Sequence, residues 1–291
     1  MAGLSDYSAK ALLNYITGQL AEAALPAVWL ALFTTAPTDA GTGGTEVSGG
    51  SYARVQVAGT ATTNNTTASG NATLHFASTP SWIVAGMSVT DQTSGSVIPA
   101  ATTVLSVTGT TVVMSANATG GGVGNGDTIV FSAFTPATGS APSTITNGSV
   151  VTFATPTASW GNVLAFGLYD ASSSGNLLAW DYLGNFNWLP CTVSSASPGV
   201  ITAKAHGMSV NDNCIFSTEF GGTAPSFSQS NFTGTLVVAH AATDTLDVTN
   251  AATAVNTSST GSGMIRKITV QTISTSVVAS FAASQLTVNS A

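Results

Sequence analysis

The chain has 291 residues, of which 5 are basic and 12 acidic, so charged side chains make up 6% of it, against about 25% in an ordinary soluble domain. Apolar residues stand at 44%, and Ser, Thr, Asn, Gly and Ala replace the missing charge, which implies a neutral, hydroxyl-rich surface. A net charge of -7 with five cations cannot make the basic face that nucleic acid requires.

Charge-driven disorder is excluded by the same balance. No apolar run approaches the roughly 18 residues of a membrane span. The opening Met-Ala-Gly-Leu-Ser-Asp lacks the charged and apolar regions of a signal peptide, so export as a secreted precursor is not expected. Cys191 and Cys214 make one bridge at most and have neither zinc nor redox spacing, so buried thiols are expected. At about 150 residues per domain, the length allows one to three domains.

In chain order, Ser5 or Asp6 caps a helix that places Ala9, Leu12, Leu13, Ile16 and Leu20 on one face. Gly18 ends or interrupts it, and Pro26 forbids its continuation. So short a helix is marginal alone, and its apolar stripe is expected to dock on something. Residues 28–33 then read as a buried strand, 35–50 as a turn-rich loop, and 52–57 as an alternating strand. Everything later is β-like. Strands are expected near 72–76, 103–107, 111–115, 128–132, 150–153, 162–169, 176–182, 199–203, 213–216, 235–239, 245–248, 266–272 and 286–289, separated by Gly, Ser, Thr and Asn clusters. Polar linkers at about 59–71 and 135–148 bracket one block of strands, and a second block lies between Pro190 and about Gly263. Gly86-Met-Ser-Val89 and Gly207-Met-Ser-Val210 form a short echo between the blocks.

Catalytic chemistry is hard to place. His75, His206 and His240 are scattered and belong to no ligand cluster. There is no Gly-x-Ser-x-Gly elbow in a strand–turn–helix setting. Asp170 and Asp181 flank a hairpin, where the first reads as a turn cap and the second as a strand residue, not as the carboxylate pair of a glycosidase. The glycine runs near 41–50 and 119–126 lack a Walker lysine. Asp244 and Asp247 are the only acidic residues close in sequence that were candidates for Ca²⁺, and too few carboxylates accompany them. The expectation is therefore a non-enzymatic structural or binding protein with no cofactor and no metal.

Several words in the sequence carry a resemblance: Leu-Ser-Asp-Tyr at 4–7, Val-Trp-Leu-Ala-Leu-Phe-Thr-Thr-Ala-Pro-Thr-Asp-Ala-Gly at 28–41 and Thr-Glu-Val-Ser-Gly-Gly-Ser-Tyr-Ala-Arg at 45–54. With them go Ala158-Ser-Trp-Gly161, Phe166-Gly-Leu-Tyr-Asp-Ala171, Gly175-Asn-Leu-Leu-Ala-Trp180 and Ser280-Phe-Ala-Ala-Ser-Gln-Leu-Thr-Val288. Together they resemble a family of tailed-bacteriophage virion structural proteins, head-decoration-like or tail-fibre-like. The resemblance implies a mainly β fold: a β-sandwich base with a short N-terminal helix and two inserted small β-sandwich or barrel modules. The base would comprise 1–58, 146–190 and 265–291, with module 1 at 59–145 and module 2 at 191–264. Trp29, Phe33, Trp160, Phe166 and Trp180 would anchor the core, and Gly49 and Gly50 would permit a tight turn.

Two functional readings follow from the resemblance. In the first, a homotrimeric decoration or cement protein grips the major capsid protein through its base, with the modules projecting outward. In the second, the chain is a tail-fibre or tail-tip protein whose modules bind host surface glycans through aromatics such as Trp82, Phe186, Trp188, Phe220 and Phe227. Either places it on the exterior of the virion, after synthesis in the host cytoplasm, with neither nucleic acid nor membrane as partner. Arg54 is the leading candidate for contact with other virion proteins, followed by Tyr52 in the same motif and by Lys10, Arg266 and Lys267, since the four cations lie in pieces assigned to the base.

Overall fold

A computed structural model describes residues 3–19, 27–139 and 143–289. The chain forms two compact units, one of residues 2–181 with 272–291 and the other of residues 182–271. Both are built from β-strands, and the only helix among the described residues is short and N-terminal.

The larger unit is organised by one sheet. Its strands run in the order Gly3–Leu4, Leu177–Tyr182, Ala165–Tyr169, Val28–Thr35, Val55–Thr62, Thr128–Ser132 and Ser88–Asp91, with Thr45–Glu46 also paired to Val28–Thr35. The apolar run at 30–33 sits at the centre because both of its faces are covered, which is the burial such a run needs. Ala165–Tyr169 is buried along its whole length and pairs antiparallel with it, Ala165 against Phe33 and Tyr169 against Trp29. Short strands, Val151–Thr152 with Ser280–Phe281 and Thr144–Thr146 with Thr287–Asn289, add a second set of pairings. Tyr52, Phe153, Trp160 and Phe281 form a continuous aromatic cluster there. The Trp160 indole N–H donates to the Gly50 carbonyl at 3.0 Å. Gly50 has φ of 57°, and a Cβ there would lie 2.8 Å from the Ala158 carbonyl oxygen, so the close approach needs glycine. Phe33, Trp160, Phe166 and Trp180 are buried anchors as expected. Trp29 is only half-buried, beside the register shift at Val28/Trp29.

Three expectations are corrected. The strand expected at 52–57 is Val55–Thr62, which crosses the supposed linker start at 59 because Ala58–Thr62 pair with Thr128–Ser132; partners distant in sequence supply an order that Thr and Gly composition hides. The strand expected at 266–272 is instead Gly261–Ile268, followed by a separate Gln271–Ile273. Its glycines are packing residues: a Cβ on Gly263 would sit 2.7 Å from the Phe216 ring. Arg266 and Lys267 therefore belong to the smaller unit and not to the base.

The helix, Asp6–Ile16, is capped by Ser5, which accepts from the Ser8 N–H at 3.2 Å. Its start is tied to the sheet. The Ser5 hydroxyl donates to the Leu177 carbonyl, the Ser5 N–H donates to Leu178 at 3.0 Å, and the Asp6 N–H donates to Asp39 at 2.9 Å. The helix body buries no residue, so the expected docking of its stripe does not occur within the described chain. Leu20, Pro26 and residues 140–142 of the second linker lie outside the described residues.

The smaller unit is a closed six-stranded barrel. Around the ring run Ile201–Thr202, Leu189–Val193, Gly261–Ile268, Asn213–Ser217, Leu236–Ala241 and Thr245–Asn250, which pairs back to Ile201–Thr202. Closure leaves few unpaired strand edges. Alternate residues such as Ile201, Cys214, Leu236, Val238, Leu246 and Ile265 fill the interior. The echo between the two blocks holds in part. Gly86 and Gly207 both have positive φ and both Met87 and Met208 are buried, but Val89 is buried in a strand while Val210 is 51% exposed. Cys191 and Cys214 are free thiols in the barrel core, and burial pushes both up to about 12. Native protein at pH 8 should therefore release no chromophore from an aromatic disulfide reagent, and guanidinium-unfolded protein should release two equivalents per chain; reaction of either thiol in the folded state would contradict this packing.

Candidate functional site

Arg54 was the leading contact candidate, and the structure gives its whole guanidinium to the chain itself. Nε and one terminal nitrogen grip the two Glu46 oxygens at 2.9 and 2.8 Å, while the other donates to the carbonyls of Ala171 at 3.0 Å and Ser174 at 2.7 Å. The guanidinium carbon lies 3.7 Å from the centre of the Tyr169 ring. Only 7% of the side chain is exposed. Burial works against the Arg54 charge, but the Glu46 carboxylate outweighs it and the pKa is raised. Tyr52 joins the same network. Its hydroxyl accepts from the Leu32 N–H at 2.8 Å and donates to Glu46 at 3.0 Å. Burial, helped by the Glu46 charge, pushes the phenol far above its ordinary range. Arg54 and Tyr52 thus join strand, hairpin and turn within the chain.

The other contact candidates divide. Lys10 is exposed on the helix. Lys267 pairs with Asp212 at 2.7 Å, which holds the Asp212 carboxyl below its usual value against a burial effect of opposite sign. Arg266 is 2% exposed in the barrel wall, about 6 Å from the rings of Tyr182 and Trp188. Among the described residues the helix instead carries the largest uncovered apolar face: Leu12, Leu13, Tyr15 and Ile16 are 50, 57, 48 and 64% exposed. Leu12, Leu13 and Ile16 belong to the stripe read from the sequence as needing to dock on something, and Tyr15 joins them on the exposed surface.

A groove of about 380 Å³ opens beside Trp82. Its floor is the sheet at Val55–Val57 with Met87 and Ala133, and Val84, Val150 and Thr152 line its rim. Trp82 meets Phe131 edge-on at 6.3 Å. Gly59 lets the indole lie against the sheet, since a Cβ there would come within 3.2 Å of it. Gln56, Ser81 and Thr152 supply amide and hydroxyl groups, and no charged residue lines the groove. The other aromatics named from the sequence pack within the barrel unit: Trp188 on Phe220 at 5.2 Å, and Phe227 on Phe232 at 5.4 Å, with the Lys267 ammonium 5.4 Å over Phe186.

Residues 3–135 and 131–188 match the family described as podophage GP4 fiber I protein gp80. The chain belongs to this fibre-protein family. No curated protein and no solved structure matches it. Its membership makes it a structural protein of the tailed-phage virion, and a fibre family fits the tail-fibre reading better than capsid decoration. The matched region of the gp80 family holds the helix, the Arg54 network and the Trp82 groove, whereas the barrel strands from Leu189 onward follow its end.

The scattered polar residues have structural roles. Asp170 caps its turn, accepting from the Asn176 N–H and side-chain amide, both at 2.7 Å. His206 accepts from the Met208 N–H at 3.0 Å. Asp247 pairs with His240, and Asp244 accepts from the Ala205 N–H. Among the described residues no three His, Cys, Asp or Glu side chains gather as a metal centre, and no helix is long and apolar enough to cross a membrane.

Because Arg54 is nearly buried, Arg54→Ala leaves Glu46 without its partner and should cost about 3 kcal/mol in urea unfolding. Arg54→Lys should restore only a minor part, since an ammonium cannot fork onto two carboxylate oxygens. A loss under 1 kcal/mol for Arg54→Ala would show that the network is not a structural tie.

Proposed function

We propose that this protein is a non-enzymatic subunit of a podophage fibre apparatus, on the outside of the virion, that contacts host surface glycans at the Trp82 groove. The observation that carries this reading is the pairing of the fibre-family match with an open, uncharged, Trp-lined groove inside the matched region. A sugar presents apolar C–H faces and a rim of hydroxyls. An indole with amide and hydroxyl groups around it answers both, and the absence of charge suits a neutral glycan. The hydroxyl-rich exterior suits a particle surface that must not adhere to itself.

The uncovered helix supports a second part of the reading, self-association into the homotrimer that the family resemblance implies. Leu12, Leu13, Tyr15 and Ile16 leave an apolar face whose only charged neighbours on the helix are Asp6 and Lys10. A second copy offers the same neutral, apolar surface without repulsion. The exposed parts of these side chains amount to roughly half of the ~800 Å² per partner found in a standard interface, so further surface would join them.

Trp82→Ala should weaken binding of the folded protein to host polysaccharide by at least tenfold on a glycan array or in calorimetry, and unchanged binding would remove the groove from the reading. Quantitative mass spectrometry of virions should find tens of copies or fewer; hundreds per particle would favour a head coat. Light scattering should find an oligomer that Leu13→Asp with Ile16→Asp converts to a folded monomer, and a monomeric parent protein would exclude the helix as an assembly face.

A further inference from the structure

The groove beside Trp82 is divided by chemistry. Its floor is carbon, with Val57, Met87 and Ala133 at 0%, 2% and 1% exposure. The main-chain groups of that floor are already used within the chain. The Ala133 N–H donates to the Val57 carbonyl at 2.7 Å, and the Ala133 carbonyl accepts from the N–H groups of Gly148 and Ser149 at 2.7 and 3.2 Å. The Met87 N–H donates to the Val84 carbonyl at 3.4 Å, and the Met87 carbonyl accepts from the Val104 N–H at 2.8 Å. A ligand group resting there meets methyl and methylene surface in place of hydrogen-bond partners.

The polar groups of the groove are its more open ones. Ser81 and Thr152 are exposed, and Gln56 is half-buried. Two of the three are partly engaged: Gln56 Nε2 donates to the Ala58 carbonyl at 3.3 Å, and the Thr152 hydroxyl shares a hydrogen bond with Ser280 Oγ at 3.2 Å. A sugar seated here finds a few partners for its ring hydroxyls and none for a polar substituent pointing at the floor. The volume of about 380 Å³ is near the low end of small-ligand pockets, which suits a single residue of a longer glycan.

We infer that the groove selects a 6-deoxyhexose, whose C6 methyl group rests on Val57, Met87 and Ala133 while its ring hydroxyls turn to Gln56, Ser81 and Thr152. This rests on the glycan reading of the groove and specifies which sugar it takes. An ordinary hexose would press its C6 hydroxyl on the floor, where the hydroxyl loses water and gains no partner. A uronic or sialic acid would bring a carboxylate into a groove that no charged residue lines, in a stretch of chain with no Lys or Arg from residue 55 to residue 203. An N-acetyl group also carries a methyl, but its amide needs a donor and an acceptor where the floor supplies neither. Among these substituents, only the 6-deoxy methyl gains from apolar contact without leaving a polar atom unpaired.

The experiment uses the full chain in calorimetric competition against host polysaccharide, with two matched pairs of glycosides. Methyl α-L-rhamnoside differs from methyl α-L-mannoside only in lacking the C6 hydroxyl, and methyl α-L-fucoside differs from methyl α-L-galactoside in the same way. In at least one pair the deoxy sugar should compete about 10–100-fold more strongly, the range an apolar pocket achieves against one added hydroxyl. Ala133→Ser places a hydroxyl on the floor and should remove most of that preference; Val57→Thr is the second variant should the first unfold in urea at lower concentration than the parent. Equal competition within both pairs would overturn the inference and leave the glycan reading standing. Stronger competition by methyl N-acetyl-β-D-glucosaminide than by either deoxy sugar would do the same, as would polysaccharide binding that neither deoxy sugar displaces at high concentration. A preference that survived in both folded floor variants would overturn the placement of the methyl group. If the polysaccharide itself did not bind, the glycan reading would fail and this inference with it.

Discussion

In a chain with only five cations, the forked contact between Arg54 and Glu46 ties three segments of the larger unit to its central strand. Glu46 lies on a two-residue strand at the edge of Val28–Thr35, and Arg54 immediately precedes Val55–Thr62. Through Tyr52 the same carboxylate reaches the Leu32 N–H, and through the guanidinium it reaches the carbonyls of the 171–174 turn. One ion pair therefore fixes where three separate segments meet the central strand. The pair is stable because its partners satisfy one another with good geometry and the Tyr169 ring covers the cation. With so few charges elsewhere, few competing pairings exist.

The scarcity of charge has a second consequence. Proteins rich in β-structure commonly protect sheet edges with lysine, and this chain has too few lysines to do so. The smaller unit answers by closing its barrel, so that Ile201–Thr202 pairs on both sides. The larger unit places very short strands such as Gly3–Leu4 and Ser88–Asp91 at the ends of its sheet. It also leaves one feature uncovered, the face of the Asp6–Ile16 helix, and that exception is what makes the helix an assembly candidate.

Much of the fold was legible in the residues. The Ser5 cap, the buried run at 30–33, the strand at 128–132 and four of five aromatic anchors follow from local signals: a capping side chain, an unbroken apolar run, alternation, and bulky rings between turns. The errors share one cause. Val55–Thr62 and Gly261–Ile268 contain the Gly and Thr that mark linkers elsewhere, yet both are strands, because distant partners supply their hydrogen bonds. The site residues were less legible. Arg54 and Tyr52 stand out in the sequence, but a sequence does not show that Glu46 and two turn carbonyls take up four of the guanidinium N–H groups. The Trp82 groove needed Val55–Val57 and Val150–Thr152 to come together, and no local pattern announces that.

A mainly β protein with a hydroxyl-rich surface, too few cations for a basic face and an N-terminal helix is already written in the composition and short-range periodicity, which fix how much apolar surface is available and in what rhythm. The sequence also carried the words that mark a phage virion protein. Which strands are neighbours, the closure of the second block into a barrel and the uncovered helix stripe emerge only when the chain folds. Those outcomes depend on pairings between residues tens to more than a hundred positions apart. Hydrogen bonds and charge respond to distance in space, which the order of residues along the chain does not record.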